Sequence, residues 1–120
     1  MADNYFTNRE SNGSVNISED VISALVKNAI LEVEGVGGLA NTAGAELAEL
    51  IGLKMITKGI EIKFEEDKTI IDVIINVIYG YVIMDVARKV QENVLNVVIN
   101  SAGIDNAEVN VHVSGITFNK

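Results

Sequence analysis

Thr69-Ile70-Ile71-Asp72-Val73-Ile74-Ile75-Asn76-Val77-Ile78-Tyr79 reads as one long strand, and the rest of the chain arranges itself around it. Successive side chains of a strand point to opposite faces. Ile71, Val73, Ile75, Val77 and Tyr79 therefore share one face, and Ile70, Asp72, Ile74, Asn76 and Ile78 share the other. Both faces are largely aliphatic. A sheet with one open side shows polar residues there, so the side bearing Ile70, Ile74 and Ile78 calls for a cover.

Immediately upstream, Ile60, Ile62 and Phe64 alternate with Glu61 and Lys63, and Glu65-Glu66-Asp67-Lys68 makes a polar turn, which predicts a β-hairpin. Downstream of Gly80, Ile83, Val86, Ala87, Val90, Val94, Val97 and Val98 recur at helical spacing up to a stop near Gly103. Their β-branched side chains lower helix propensity, so packing has to hold this helix. A last strand follows, with Val109, Val111 and Val113 on one side and Glu108, Asn110, His112 and Ser114 on the other, until Gly115 interrupts the alternation.

Toward the N-terminus, Val15 and Ile17 suggest a short strand, and Ser18-Glu19-Asp20 supplies an N-cap with acidic residues in the first turn. Ile22, Leu25, Val26, Ala29, Ile30 and Val33 then form one apolar helical stripe, with Gly35 as its stop. From Val36 to Lys58 the chain is glycine-rich, and Ala45 to Ile51 suits a short helix that Thr42 caps. Residues 1–13 are polar and aperiodic, which reads as a flexible tail ahead of a single domain over residues 14–120. The element order β-α-β-β-α-β, with a possible extra helix before the hairpin, predicts an α+β two-layer sandwich. Its mostly antiparallel sheet carries the helices on one face.

Composition narrows the function classes. The 120 residues include no cysteine, so disulfides, thiolate metal sites and a cysteine nucleophile are excluded. A formal charge of -8, with nine scattered basic residues, disfavours nucleic acid and anionic lipid as direct partners. The polar start gives no secretory signal, and uncharged runs such as Val73 to Met84 fall well short of the roughly 18 apolar residues of a spanning helix. The expectation is a cytoplasmic protein that does not insert into the membrane directly.

The candidate sites are few. Gly35-Val36-Gly37-Gly38-Leu39-Ala40 matches G-x-G-x-x-A but follows a helix where the dinucleotide fingerprint follows a strand, so a flexible connector is the better reading. His112, the sole histidine, lies opposite the core valines and shares its face with Asp72 and Asn76, which allows a small polar cluster but no histidine-based metal site. Serine is not set in a strand–nucleophile–helix signature. Glu32 and Glu34 diverge around a helix, Glu65, Glu66 and Asp67 lie in a turn, and Asp85, Arg88, Lys89 and Glu92 mark a solvated helix face. With no catalytic set, no cofactor and no metal expected, the informative surface is the outer face of Ile70, Ile74 and Ile78 with Asp72, Asn76 and His112. Its cover is either the helix near Leu47 to Ile51 or another protein chain.

Tyr79-Gly80, Val86-Ala87, Val90-Gln91-Glu92-Asn93-Val94 and Val109-Asn110-Val111-His112-Val113-Ser114-Gly115-Ile116, with Val15 to Ser18, Val33-Glu34-Gly35-Val36 and Lys58-Gly59-Ile60, resemble the alkaline shock protein family over residues 14 to 118. One departure is Ile83-Met84-Asp85-Val86-Ala87, where the family often has Ile-Pro-Glu-Val-Ala. The missing proline removes a favourable first-turn residue but need not alter the fold. The resemblance implies a small bacterial cytoplasmic protein, mostly Gram-positive, linked to alkaline or cell-envelope stress, that self-assembles or sits near the membrane through a membrane-anchored partner. It implies no catalytic residue. The expectation is therefore a non-enzymatic protein that homo-oligomerises or binds a protein partner. The alternative is a regulatory subunit or a binder of a small apolar molecule between sheet and connector.

Overall fold

The computed structural model describes residues 5–39 and 59–118. The helix expected between Thr42 and Ile51 lies outside those residues. In chain order the elements are β1 (Tyr5–Glu10), β2 (Gly13–Ser18), α1 (Glu19–Leu31), β3 (Val36–Leu39), β4 (Ile60–Phe64), β5 (Thr69–Ile78), α2 (Ile83–Asn100) and β6 (Ala107–Thr117).

β5 is the central strand. It forms the expected hairpin with β4, from Ile60↔Val73 to Phe64↔Thr69. Because β4 reaches only as far as Val73, the remaining backbone groups of β5 on that edge need another partner. β3 provides it, antiparallel, from Val36↔Val77 to Leu39↔Ile75. The glycine-rich stretch read as a flexible connector is therefore, over Val36–Leu39, a strand set end to end with β4. The opposite edge of β5 pairs with β6 in parallel, from Thr69↔Ala107 to Ile78↔Thr117. A helix that carries the chain back between neighbouring strands makes them parallel, so the sheet combines both pairings. The register slips between Ile75 and Asn76, opposite Ser114, at the point where Gly115 breaks the β6 alternation.

The two helices pack on one face of this sheet. Ser18 Oγ accepts from the Val21 N–H at 3.3 Å and caps α1, whose Glu19 and Asp20 favour the positive end of the helix dipole. α1 buries Ile22, Val26, Ala29 and Ile30. α2 buries Val86, Val90, Val94 and Val98, one row at i, i+4 spacing. These meet Ile71, Val73, Ile75 and Val77 of β5, Ile60 and Ile62 of β4 and Val109 of β6 in one core. Each fully buried valine contributes on the order of 1.5 kcal/mol of transfer free energy, which offsets the modest propensity of a valine-rich helix. Two side chains tie α2 in place: Asn93 donates to Ala29 O at 3.1 Å, and Gln91 donates to Val109 O at 2.9 Å.

Gly35 closes the turn after α1. Its φ of 100° lies in the left-handed region, and a Cβ there would sit 2.8 Å from Val86 Cγ2 and 3.0 Å from the Tyr81 ring. Its carbonyl accepts from the Ile78 N–H at 2.8 Å, which fixes the start of β3 to the end of β5.

The N-terminal strand behaves differently from the expectation. β2 does not join the main sheet; it pairs antiparallel with β1, from Tyr5↔Ser18 to Glu10↔Gly13. Tyr5–Glu10, expected within a flexible tail, is a strand. Both edges of β5 are already occupied, so β2 finds its backbone partner in the preceding residues instead.

Candidate functional site

The outer face of the sheet brings together most of the residues singled out on it. Asp72 of β5 and His112 of β6 lie on neighbouring strands, and His112 Nε2 is 3.3 Å from Asp72 Oδ1. Asp72 is buried and His112 half-buried. Asn76 lies apart from that pair: the Ser114 hydroxyl donates to Asn76 Oδ1 at 3.0 Å, and the same hydroxyl is 3.4 Å from Ile75 O. Ser114 and His112 thus have separate partners, and these bonds do not align a hydroxyl nucleophile with the imidazole.

Ile74 is 0% exposed although it points away from the helices, while Ile70 and Ile78 are half-buried. That burial exists within a single chain. Ile74 is therefore an interior position, and its neighbours on the face are only partly open.

Glu61 is a member of this face that the sequence reading passed over. It stands directly across from Asp72 on β4, and its Oε1 is buried without a hydrogen-bond partner. Desolvation raises its carboxyl above the usual range; the Lys63 charge opposes this, and the Asp72 and Glu19 charges add to it. The signal was legible, because Glu61 alternates with Ile60 and Ile62, but the covered outer face that makes it matter was not.

The second distinctive surface lies at the end of the sheet where β5 leaves for α2. Tyr79 and Phe118 are 69% and 71% exposed, with ring centroids 5.2 Å apart. Val82 and Met84 are 63% and 65% exposed, and Ile83 and Ile116 are also open. Tyr79 and Ile83, expected on core-facing stripes, lie beyond the reach of the core because each sits at an element end. The Tyr81 hydroxyl donates to Glu34 Oε2 at 3.2 Å, a bond that raises the tyrosine's titration range and ties this loop to the end of α1. Scattered exposed aliphatics are ordinary, but an aromatic pair beside a run of exposed apolar residues is a candidate contact surface.

At the opposite end, an open groove of about 750 Å³ runs between the β1–β2 hairpin and the β4–β5 turn, lined by Phe6, Phe64, Glu65, Glu66, Asp67 and Asp105 among others. Its carboxylates suit an apolar ligand poorly. Lys68, also on its lining, is engaged by Glu108 at 3.0 Å. Asp85 and Arg88 form an exposed pair at 3.2 Å on α2, the solvated arrangement their spacing suggested. Among the described residues no helix is long and apolar enough to cross a membrane, and no group of acidic or histidine side chains has the geometry to hold a metal ion.

Several known proteins are similar to this chain. The uncharacterized protein YqhY of Bacillus subtilis is 32% identical over 106 residues, covering 88% of this chain and 78% of the relative. YloU of the same organism is 30% identical over 110 residues, covering 90% and 92% respectively. Spy1535 of Streptococcus pyogenes is 29% identical over 109 residues, covering 90% and 82%. Among solved structures, a cadmium form of the MamM CTD aligns over 81% of this chain and 95% of its own length, at 15% identity and a TM-score of 0.49. A family model described by a cell envelope-related function matches residues 7–118. The chain thus belongs to the alkaline shock protein family.

Proposed function

We propose that this chain serves the cell envelope as a non-enzymatic protein that acts by self-association or by binding a membrane-anchored partner. The observation that carries this reading is the exposed apolar end built by Tyr79, Val82, Met84, Ile116 and Phe118 on a chain of net charge -8. Net charge keeps such a chain dispersed, so a concentrated apolar surface on it is a place where dispersion gives way to specific contact. The Asp72–His112 pair on the outer face adds a polar feature that a partner strand or loop recognises by hydrogen bonding.

The test is sedimentation velocity of the purified chain over a wide concentration range, combined with fractionation of native Gram-positive cells. The expected result is concentration-dependent assembly or recovery with the membrane fraction, and loss of that behaviour in a Tyr79→Ser/Phe118→Ser variant with an unchanged thermal melt. A chain that stays monomeric at high concentration and never accompanies the membrane fraction would overturn the reading.

A further inference from the structure

The outward edge of β6 is the longest stretch of strand in the molecule that pairs on one side only, among the described residues. Thr69 N–H donates to Asn106 O at 2.9 Å, which sets the parity of the parallel ladder. Asn106, Glu108, Asn110 and His112 turn their backbone groups toward β5, and Ala107, Val109, Val111 and Val113 turn theirs outward. The Gln91 bond to Val109 O agrees with that parity. The slip opposite Ser114 ends the regular run, so the edge that can pair is Ala107 to Val113; within it Gln91 Nε2 occupies one lone pair of Val109 O at 2.9 Å and leaves the other for a second donor.

We propose that two copies of this chain pair through that edge, antiparallel, about a twofold axis at Asn110. This rests on the self-association branch of the function proposed above and adds to the apolar end a second, separate surface for it. Outward backbone groups must face outward ones, so odd positions pair with odd. Centring on Asn110 is the register that uses the whole of Ala107 to Val113. It sets Ala107 opposite Val113 and Val109 opposite Val111 as the hydrogen-bonded pairs. It sets Glu108 opposite His112, and Asn110 opposite itself, as the closer non-hydrogen-bonded pairs, whose Cα atoms lie about 4.5 Å apart.

Charge selects a second copy as the occupant. On a chain of net charge -8, this edge has a single acid, Glu108, which Lys68 already holds at 3.0 Å and Asn110 Nδ2 contacts at 3.2 Å. The edge meets its own image with a carboxylate facing an imidazole at both symmetric positions, so it is self-complementary. Asp72 contacts His112 through Nε2 and leaves Nδ1 for the second copy's Glu108. Val111 and Val113 are half-buried while Val109 is buried, so the partner's valines extend a row that α2 covers only in part. The edge also lacks proline, and a free edge of this length is otherwise shielded against pairing.

Because the chain contains no cysteine, one introduced thiol reads the axis directly. In full-length Asn110→Cys, mild oxidation should give a covalent dimer at least ten-fold faster than in Ser101→Cys, an exposed control at the end of α2. Ala107→Cys, which faces Val113 of the second copy, should cross-link no faster than the control. Separately, Glu108→Lys should weaken association about ten-fold at low salt, with the loss shrinking as salt is added. If the chain associates but Asn110→Cys links no faster than Ser101→Cys, the edge is wrong and the broader reading stands. A wild-type chain that is monomeric at every concentration overturns the edge as well; recovery with the membrane fraction would then preserve only the partner branch.

Discussion

Ile74→Ala tests whether the outer face is closed by the chain itself. Ile74 has no exposed surface, sits opposite His112 in the β5–β6 register, and lies outside the core cluster that the helices form. Truncating a buried isoleucine to alanine costs about 2–5 kcal/mol, the lost transfer energy plus the cavity it leaves. With full burial and rigid strands on both sides, we expect about 3 kcal/mol. At about 4 °C per kcal/mol for a domain of this size, the melting midpoint should fall by roughly 12 °C. Ile70→Ala, on the same face but half-buried, should cost only about 1 kcal/mol. Urea denaturation and calorimetry at two protein concentrations ten-fold apart measure both, since a contact with a second copy would make the cost depend on concentration. A cost for Ile74→Ala below about 1 kcal/mol, or one that grows with protein concentration, would refute the claim that this side chain is hidden inside a single chain.

Two further outcomes follow from local geometry. Gly35→Ala should cost about 2–3 kcal/mol, because φ of 100° is strained for alanine and its Cβ would press on Val86 and Tyr81; a melt within 2 °C of wild type, measured by far-ultraviolet circular dichroism, would contradict this. Glu61→Gln should stabilise the fold at neutral pH. Folding raises this carboxyl's pKa, so the native state binds the proton more tightly than the unfolded chain, and stability falls as pH rises from the ordinary carboxylate value through the raised one. The glutamine variant loses that slope, so its advantage should vanish below the ordinary carboxylate range. Unfolding free energies measured in urea across pH 3 to 8, as about six points, check the sign, and a variant less stable than wild type at neutral pH would contradict it.

Much of the architecture was legible because it depends on short-range periodicity. The Ile60–Phe64 and Thr69–Ile78 hairpin, the α1 cap at Ser18 and the Val86, Val90, Val94, Val98 row each follow from side-chain spacing. The slip at Ser114 was signalled by Gly115. β1 was missed because Tyr5–Glu10 lacks an apolar face, and only pairing with β2 makes it a strand. β3 was missed because its pairing depends on how far β4 reaches along β5, a long-range matter that no local window contains. The site divides in the same way. Face alternation allowed Asp72 and His112 to meet but favoured ordinary surface polarity, since only the β5–β6 pairing makes them neighbours, and the exposure of Tyr79, Val82, Met84 and Phe118 likewise depends on where the core ends.

Residue order alone determined that this chain forms an α+β layer pair, places His112 on the face away from the valine core, and contains no thiol chemistry. It did so because alternation, helical spacing and composition are properties of neighbouring residues. Tertiary structure alone decided that Ile74 is interior, that Glu61 is stranded beside Asp72, and that β6 pairs with a strand on one side only from Ala107 to Val113 among the described residues. Those are outcomes of which strands compete for the edges of β5, and distant segments settle that competition only when they meet.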